Sequence, residues 1–340
     1  MPRSDPFSLG AGRSVTLDLR AMSWPLREPF AISRGTKTAF ESLLVTLTDA
    51  EGHRGRGEGC AVGYLGETTT GMAAQLEAAR GRIEEGVTRE GLLDLLPAGG
   101  ARAALDAALW DLEAKQTGQS AFARAGVPAP RAMDTAYTIG IRATGDYEAA
   151  ARVKADFKVL KLKVDAGDPL AAIAAARRGA ANAGFIVDPN QSWTIDQLRA
   201  FAPALVDLGV VLLEQPIPAG AEQGLDGYRC PVRLCADELV HVTADLGKAH
   251  GRFDVINIKL DKTGGLTAAL RLAEAARALG FDLMVGCMGG SSLAMAPATV
   301  LAQQCAFIDL DAPLLLAEDL PEGLTHAGGA FEPPRRELWG

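Results

Sequence analysis

The sequence predicts an α/β protein in which a small antiparallel α+β unit precedes a closed barrel of parallel strands and helices. Residues 14–60 contain stretches that alternate polar and apolar side chains at strand period, and two amphipathic helical stretches follow. From about residue 134, short apolar stretches recur roughly every 25 residues, with alanine-rich helical segments between them. Eight strands joined by helical crossovers favour a (β/α) barrel.

The first unit is expected to hold three strands and two helices. These are Val15–Arg20, Ser42–Thr48, a bent strand in the glycine-rich run 52–59, Thr68–Glu85 and Ala101–Lys115. Between the first two strands, residues 24–37 carry two prolines, a glycine and three cations without periodicity, which predicts a mobile loop. Gly118 is expected to end the second helix, and the proline-containing stretch 125–131 to end the unit.

The barrel unit is expected to alternate eight strands with helices. The strands are Thr135–Ile139, Val159–Val164, Phe185–Asp188, Val210–Glu214, Arg233–Asp237, Val255–Lys259, Asp282–Gly286 and Ala306–Asp309. The helices include Tyr147–Phe157, Pro169–Ala183, Ile195–Leu208, Leu266–Leu279 and Ala294–Gln304. Pro203 lies inside the third helix and is expected to shorten or kink it. The segment between the fifth and sixth strands is short, so a small crossover is expected there.

Composition and charge argue against several classes of function. The 340 residues carry a formal net charge of −8 without a basic cluster, which argues against nucleic acid or an anionic membrane as the partner. Residues 1–13 lack the apolar core of a signal peptide and no long apolar run exists, so a cytoplasmic location is expected. The five cysteines form no CxxC pair and the four histidines show no ligand spacing, so any metal should be a hard ion bound by oxygen.

Three acidic residues close three consecutive predicted strands. Asp188, Glu214 and Asp237 should therefore meet at the mouth of the barrel, where barrel active sites form. Like charges in a partly dry site repel each other, and a divalent cation removes that repulsion. Three oxygen ligands with open coordination positions suit Mg²⁺. Helix capping would explain any one of these acids, but it does not easily explain three in register.

Lysines lie on the strands to either side of these acids. Lys161 and Lys163 alternate with apolar residues, so they share one face of a strand, and each is expected to lower the pKa of the other. Lys259 ends the sixth strand. Lysines on both faces of a substrate carboxylate could take an α-proton from one side and return it on the other, through an enediolate that the cation stabilises. The pattern predicts epimerisation or racemisation.

The order and spacing of these motifs resemble the muconate-lactonizing subgroup of the enolase superfamily, over nearly the whole chain. The resemblance rests on Lys161-Leu162-Lys163, Asp188-Pro189-Asn190-Gln191, Glu214-Gln215-Pro216, Ala236-Asp237-Glu238 and the run 258–265. It implies a modified TIM barrel, (β/α)7β, at residues 131–317 and an α+β capping domain at residues 1–130 that residues 318–340 complete. It also implies a homo-oligomer.

By the resemblance, each of these residues takes a role. Asp188, Glu214 and Asp237 would bind Mg²⁺, Lys163 and Lys259 would be the catalytic acid/base pair, and Lys161 would contact the substrate carboxylate. Lys262 is interpreted as a loop or structural lysine.

Residues near the eighth strand discriminate among the substrates of this subgroup. Asp309 and Asp311 lie two residues apart beside the mouth, and they resemble the dipeptide epimerase signature that holds a free α-ammonium group. An all-anionic muconate would be repelled there. The resemblance thus implies a dipeptide epimerase that acts on L-Ala-D/L-Glu, in murein peptide metabolism. An o-succinylbenzoate synthase or a muconate-type cycloisomerase, which share the lysine and Mg²⁺ core, are the alternatives.

Further substrate contacts are expected around the pocket, and the resemblance implies those of Arg34, Lys37 and Thr138. They are Arg34 and Lys37, with Arg27 as a third candidate, for a glutamate side-chain carboxylate, Thr138 near the substrate carboxylate, and Cys287 and Met288 as pocket walls. Two other classes fit less well. A binding protein on a degenerate barrel would normally have lost a lysine or an acid, and a hydrolase with a metal-activated water would more often show histidine ligands.

Overall fold

The computed structural model describes residues 13–127 and 129–340; residues 1–12 and 128 of the predicted capping domain and its boundary lie outside the described residues. The first unit is an antiparallel three-stranded sheet with helices packed on it. Its elements are β1 (Val15–Ile32), β2 (Gly35–Asp49), β3 (Arg54–Cys60), α1 (Thr69–Glu84), α2 (Arg89–Leu95), α3 (Gly100–Thr117) and α4 (Ala121–Arg124). The two predicted helices are confirmed as α1 and α3, and α2 and α4 are additions.

Glycines on β3 allow α3 to approach the sheet closely. A Cβ atom added at Gly55, Gly57 or Gly59 would lie 2.1–2.3 Å from a backbone carbonyl oxygen of the helix segment 100–108. A side chain at these positions would push the helix away, so the contact depends on glycine. Gly118 ends α3 in the left-handed region at φ 73°, as the sequence predicts.

The prediction of a mobile loop at residues 24–37 is wrong. β1 and β2 form one long hairpin that pairs up to Ile32 and Gly35, with its tip at residues 33–34. A register shift between Pro25 and Phe30 accommodates the prolines. β1 is an edge strand, where proline is tolerated because its missing N–H need not bond to a neighbouring strand. The local sequence signal for a loop is therefore overridden by strand pairing and by contacts across the barrel.

The second unit is a barrel of eight parallel strands arranged in sequence order. They are β5 (Tyr137–Ile139), β6 (Val159–Lys163), β7 (Gly184–Asp188), β8 (Val210–Glu214), β9 (Leu234–Ala236), β10 (Val255–Lys259), β11 (Asp282–Gly286) and β12 (Phe307–Ile308), preceded by the short β4 (Met133–Asp134). The backbone N–H of Ala136 donates to the carbonyl of Ile308 at 2.8 Å, which brings the last strand against the first. All eight predicted strands are confirmed, with ends that differ by at most two residues.

Helices and turns form the seven crossovers. They are α5 (Asp146–Val153), α6 (Pro169–Gly179), α7 (Ile195–Asp207), a 3-10 turn (Glu222–Leu225), α8 (Leu246–Ala249), α9 (Leu260–Thr263), α10 (Leu266–Ala278), α11 (Ser292–Met295) and α12 (Ala298–Ala302), with α13 (Ala312–Leu315) after β12. The small crossover between β9 and β10 is confirmed. α7 continues past Pro203, whereas Pro297 divides the predicted helix 294–304 into α11 and α12.

The alternation of side chains along the strands gives the barrel an apolar floor beneath a polar mouth. Its interior floor consists of Ala136, Ile186, Leu212, Cys235, Val255 and Met284, all buried. Because strand residues two apart face the same side, the residues that follow these at that spacing also face the interior. They include Asp188, Glu214, Asp237 and Asn257. The sequence alternation thus directs polar side chains into the C-terminal end of the barrel.

The end of the chain packs back on both units. β13 (His326–Ala327) pairs with β14 (Ala330–Phe331), which in turn pairs with β4. Trp339 Nε1 donates to the carbonyl of Ala107 at 2.9 Å, and Arg56 pairs with Glu322 at 2.7 Å. These contacts are consistent with a C-terminal segment that completes the capping domain, and the three domain boundaries stay predictions. None of the described helices is long and apolar enough to cross a membrane.

Candidate active site

A cavity of about 390 Å³ lies between the C-terminal ends of the barrel strands and the β1–β2 hairpin. Both units line it. The lining residues that the sequence predicted are Arg34, Lys37, Thr138, Lys161, Lys163, Lys259, Cys287, Met288, Asp309 and Asp311. The three predicted metal ligands are almost completely buried directly beneath these lysines, at 0–2% exposure. The structure therefore brings the predicted site residues into one place.

The turns after β7 and β8 adopt unusual backbone conformations next to the acids. Asn190, Gln191 and Gln215 have positive φ angles of 47°, 67° and 33°. Such strain in residues other than glycine concentrates at functional sites. The turn after β7 directs the backbone N–H of Asn190 onto Asp188 Oδ1 at 2.8 Å, and Gln215 Oε1 accepts from the backbone N–H of Asp237 at 3.0 Å. These turns thus hold the carboxylate of Asp188 and the backbone of Asp237 in place.

Lys161 lies at the centre of the buried charges. Its Nζ is 2.8 Å from Asp309 Oδ2, 2.8 Å from Glu214 Oε2 and 3.3 Å from Asp188 Oδ2. Burial lowers the pKa of Lys161, but attraction to these three carboxylates outweighs burial and raises the pKa well above its ordinary value. The predicted lowering of the Lys161 pKa by a like charge is therefore wrong, because carboxylates from other strands surround the ammonium group.

Lys163 and Lys259 face each other across the cavity. They end β6 and β10, which are four strands apart in the eight-stranded barrel and hence on opposite walls. Lys163 Nζ lies 2.5 Å from Asp188 Oδ2, and Lys259 Nζ lies 2.7 Å from Asp237 Oδ2. Burial lowers the pKa of Lys259, but the combined attraction of Asp237, Glu214 and Glu238 outweighs burial and raises the pKa. Two ammonium groups thus approach one volume from opposite sides.

Lys262 lies in α9 rather than in a loop, and it is fully buried. Its Nζ is bonded to Asp237 Oδ1 and the Asp237 carbonyl, both at 2.6 Å, and to the carbonyls of Asn257 and Val240 at 3.0 and 3.1 Å. The loop interpretation is wrong for this residue, whereas the structural one agrees with these contacts. Every proton of this ammonium group is occupied, so Lys262 is unsuited to proton transfer.

Two carboxylates and a threonine form an acidic corner beside Lys161. Asp311 Oδ2 accepts from the backbone N–H of Thr138 at 2.5 Å, and Asp309 Oδ1 accepts from Thr138 Oγ1 at 3.3 Å. Burial, followed by repulsion from Asp309, raises the pKa of Asp311 to about 7. This corner therefore gains negative charge as the pH rises through neutrality.

The loop after β11 is held against the first unit. Cys287 and Met288 line the cavity on this loop, and Gly289 lies so close to Phe40 that a Cβ atom would be 2.8 Å from its ring. Glu58 on β3 accepts hydrogen bonds from the backbone N–H and the hydroxyl of Ser291. Burial raises the pKa of the Cys287 thiol, so this residue serves as a wall and not as a nucleophile.

Family models match most of the chain. A model of the mandelate racemase/muconate lactonizing enzyme N-terminal domain matches residues 14–123, and an enolase C-terminal domain-like model matches residues 146–337. The chain belongs to the enolase superfamily. The resemblance that the motifs indicate and the fold class of a modified TIM barrel with a capping domain are both confirmed.

Individual proteins of known name are also similar to this chain. This enolase superfamily chain is 41% identical over 309 residues to L-Ala-D/L-Glu epimerase of Escherichia coli K12, covering 90% of this chain and 96% of the relative. It is 43% identical over 251 residues to N-acetyl-D-glutamate racemase of a Pseudoalteromonas species, covering 73% and 79%.

An enolase family member from Agrobacterium tumefaciens, with bound sodium and L-Ala-L-Glu, superposes with a TM-score of 0.93 at 41% identity, covering 96% of this chain and all of that one. Dipeptide epimerase structures complexed with Mg and a dipeptide are also similar, with TM-scores of 0.89 and 0.87 at 31% and 27% identity.

The residues beneath the cavity supply the oxygen ligands that a hard divalent cation prefers, but the ligand atoms of Asp188, Glu214 and Asp237 do not all lie within 4.8 Å of one another. Asp188, Glu214 and Asp237 offer only oxygen atoms, and Glu214 Oε2 is buried without a well-directed hydrogen bond, although Lys161 Nζ contacts it. The side-chain oxygens of Asn190 and Asn257 are likewise buried without partners in the described part of the chain. An oxygen-rich, nitrogen-poor donor set is the kind that Mg²⁺ prefers. Lys161, Lys163, Lys259 and Lys262 form ion pairs with these three acids and so neutralise much of the negative charge that attracts a cation.

A second acidic cluster lies away from the cavity. Asp49, Glu51 and His53, at the β2–β3 turn, are the one group of three ligand-type side chains within residues 13–127 and 129–340 whose ligand atoms all lie within 4.8 Å of one another. Asp49 already accepts from the backbone N–H groups of Glu51 and His53 and from Gln116 Nε2. These donors hold the pKa of Asp49 near 2 despite its burial, so a cation is not needed there.

The sequence reasoning did not identify several residues that shape this site. They are Tyr64, Asn190, Glu238, Asn257 and, as an ion-pair partner of Asp237, Lys262. Asn190 and Glu238 stand next to predicted ligands within the quoted motifs, which is a signal that could have been used. Tyr64 belongs to a short 3-10 turn of the first unit, and no pattern in the sequence connects it to the barrel.

Proposed function

We propose that this enolase superfamily chain is a Mg²⁺-dependent dipeptide epimerase and that L-Ala-D/L-Glu is its substrate. The observation that carries the proposal is the pair of lysines on opposed strands, Lys163 and Lys259, in a cavity that also holds Asp309 and Asp311. The similarity to L-Ala-D/L-Glu epimerase over 90% of the chain supports the same assignment. Murein peptide metabolism, a cytoplasmic location and a homo-oligomer stay predictions.

The reaction is a transfer of the α-proton from one face of the C-terminal residue to the other. One lysine, as the neutral amine, takes the α-proton and breaks the C–H bond, which leaves an enediolate. The lysine on the opposite wall, as the ammonium ion, returns a proton to the other face, so the configuration inverts. Each turnover exchanges the protonation states of Lys163 and Lys259, and the return reaction uses them in reverse order.

The buried acids and Lys161 provide the electrostatic part of the site. Asp188, Glu214 and Asp237 would hold Mg²⁺, which, when bound, neutralises the charge that grows on the substrate carboxylate. The ammonium group of Lys161 lies beside these acids and would contribute a positive charge to that carboxylate. Thr138 positions the neighbouring acids through its backbone N–H and its hydroxyl.

The two ends of a dipeptide meet opposite charges in this cavity. Asp309 and Asp311 would bind the free α-ammonium group by charge-assisted hydrogen bonds. Lys37 lines the cavity from the hairpin, and no carboxylate of the described residues lies within 4.0 Å of its ammonium group, so it would bind the glutamate side chain. Arg27 instead donates to the carbonyl of Leu316 at 2.6 Å and does not line the cavity.

A second candidate function is racemisation of an N-acylated glutamate. The 43% identity to N-acetyl-D-glutamate racemase favours it, because such a substrate has the same two carboxylates as the C-terminal residue of Ala-Glu. An acylated amine has no positive charge, so Asp309 and Asp311 would lose their partner. The same argument weighs against o-succinylbenzoate synthase and muconate-type cycloisomerase.

Proton exchange followed by NMR tests the proposed function. L-Ala-L-Glu incubated with the enzyme and Mg²⁺ in D₂O is expected to exchange the α-proton of its C-terminal residue and to form the D-Glu diastereomer. N-acetyl-D-glutamate, treated in parallel, is expected to react much more slowly. Exchange of the N-acetylated substrate alone would establish the second candidate, and no reaction with any dipeptide would contradict the proposal.

Asp311 gives the expected reaction a distinctive pH dependence. Its carboxyl, with a pKa of about 7, is neutral below that pH and ionised above it, and only the ionised form attracts an ammonium group. The KM for L-Ala-L-Glu should therefore rise as the pH falls below 7. It should also rise above pH ~8, where the substrate amine loses its proton. Initial rates between pH 5.5 and 9 measure both limbs.

Replacement of Asp311 measures the contribution of its carboxyl group to substrate binding. Asp311→Asn should raise KM roughly 10- to 100-fold because a charge-assisted hydrogen bond is lost, and it should remove the acidic limb of the KM profile. The kcat should change far less. Glu51→Gln, which alters an exposed acid on the β2–β3 turn, serves as the control. An unchanged KM in Asp311→Asn would exclude the ammonium corner.

A further inference from the structure

An ion pair joins the tip of the β1–β2 hairpin to the barrel at the edge of the cavity. Arg34 Nη1 lies 2.7 Å from Glu238 Oε1, although the two residues are 204 positions apart in the sequence. The Glu238 side chain is 2% exposed, whereas the Arg34 side chain is 35% exposed. This ion pair therefore connects a partly exposed side chain of the first unit to a buried acid next to Asp237.

Glu238 needs this partner. It lies beside Asp237 and near Asp188, and its Oε2 is buried without a hydrogen bond in the described part of the chain. Asn190 Nδ2 donates to its Oε1 at the long distance of 3.5 Å. A buried carboxylate that loses its cation is strongly disfavoured, so Arg34 is not available to a second carboxylate from a substrate.

Aromatic packing fixes the same guanidinium group. Arg34 lies over the ring of Tyr64, 5.3 Å from its centroid, and Tyr64 Oη is 3.1 Å from His241 Nε2 in the loop after β9. The hairpin tip is also held by Ser33, whose hydroxyl donates to the carbonyl of Asn190 at 3.3 Å. The tip, the 3-10 turn Gly63–Leu65 that contains Tyr64, and the loops after β7 and β9 thus form one connected group.

From these contacts we propose that Arg34 is a positioning residue and not a substrate-binding one. Its pair with Glu238 fixes the hairpin tip over the cavity and thereby places Lys37, three residues further on, in the cavity wall. This inference rests on the proposed dipeptide epimerase function and divides the two hairpin cations between different tasks. Arg34 closes the site for every substrate, and Lys37 selects the acidic one.

A comparison of two dipeptide substrates distinguishes the positioning role of Arg34 from the selective role of Lys37. Arg34→Met and Glu238→Gln should each lower kcat/KM for L-Ala-L-Glu and for L-Ala-L-Leu, about 10²-fold for L-Ala-L-Leu, since a misplaced wall affects all substrates. Because the same wall carries Lys37, the preference for L-Ala-L-Glu over L-Ala-L-Leu should change by the same factor in both variants, and the double variant should be no worse than either single one. Arg34→Lys should restore part of the loss. Lys37→Met should instead lower the preference for L-Ala-L-Glu about 10- to 100-fold.

Limited trypsin cleavage supplies a readout that does not depend on activity. Glu238→Gln retains Arg34 and Lys37 as cleavage sites, and the freed hairpin tip should be cut several times faster than in the wild type. Glu322→Gln is the matched control, because it weakens the Arg56–Glu322 pair, also 2.7 Å long, which does not line the cavity. That control should leave hairpin cleavage unchanged.

Two results would overturn the inference. A lower preference for L-Ala-L-Glu in Arg34→Met, without the same change in Glu238→Gln, would assign the substrate carboxylate to Arg34. Equal hairpin cleavage in Glu238→Gln and the wild type would show that the pair does not hold the tip. If the wild type epimerises no dipeptide, the proposed function fails, and the cleavage rates still decide whether the ion pair positions the hairpin.

Discussion

Lys259→Ala is expected to reduce epimerisation of L-Ala-L-Glu by about 10⁴-fold, because one of the two proton-transfer groups is lost. The fold should tolerate this change, since Lys262 remains 2.6 Å from Asp237 and continues to balance its charge. Lys163 is still in place, so one diastereomer should keep exchanging its α-proton with D₂O without inversion. NMR of each diastereomer measures exchange and inversion separately.

Lys158→Ala is the matched control for this prediction. Lys158 directly precedes β6 at the opposite end of the barrel, where it is exposed and pairs with Asp134 at 2.6 Å. Its replacement should leave the epimerisation rate unchanged. Inversion at a normal rate in Lys259→Ala, or loss of exchange for both diastereomers with Mg²⁺ affinity retained, would contradict the assignment of one lysine to each face.

Lys262→Met is expected to lower the free energy of unfolding by about 3–5 kcal/mol, the usual result of breaking a buried ion pair by removing one partner. The lost ammonium group leaves the carbonyls of Asn257 and Val240 and one oxygen of Asp237 without their donor. Urea denaturation of the variant and the wild type measures the difference.

The control for Lys262→Met is Lys158→Met, which removes the same charge from an exposed position. It should change the free energy of unfolding by less than about 1 kcal/mol, as exposed ion pairs do. Equal stabilities of Lys262→Met and the wild type would show that the contacts of this ammonium group add nothing to the fold. A loss of activity with full stability would instead give Lys262 a chemical role.

Much of the site was predictable because its signals are local. Asp188, Glu214 and Lys259 each close an apolar stretch of strand length, and parallel strands bring such ends to one edge. Lys161 and Lys163 share a strand face by simple alternation. The direction of the Lys161 pKa was not predictable in this way, because the carboxylates around it come from three other strands.

The β1–β2 hairpin is an element that the local sequence pattern did not predict. Prolines, a glycine and unpatterned charges in residues 24–37 are typical of a loop, yet the stretch forms paired strands. Its order depends on contacts with distant segments, such as the bond from the Ile141 N–H to the Ala31 carbonyl at 2.8 Å and the pair between Arg34 and Glu238. A periodic pattern within a few adjacent residues carries no information about such distant contacts.

The sequence by itself determined the barrel, its order of strands, and the acids and lysines at its mouth, because strand period and strand-end position are properties of a few adjacent residues. Only the tertiary structure decided how the three cations of residues 24–37 differ. Arg27 meets a carbonyl, Arg34 meets a buried carboxylate, and Lys37 faces the cavity. The physical reason is that the role of a side chain depends on the group it contacts. The partners of Arg27 and Arg34 lie 289 and 204 positions away in the sequence.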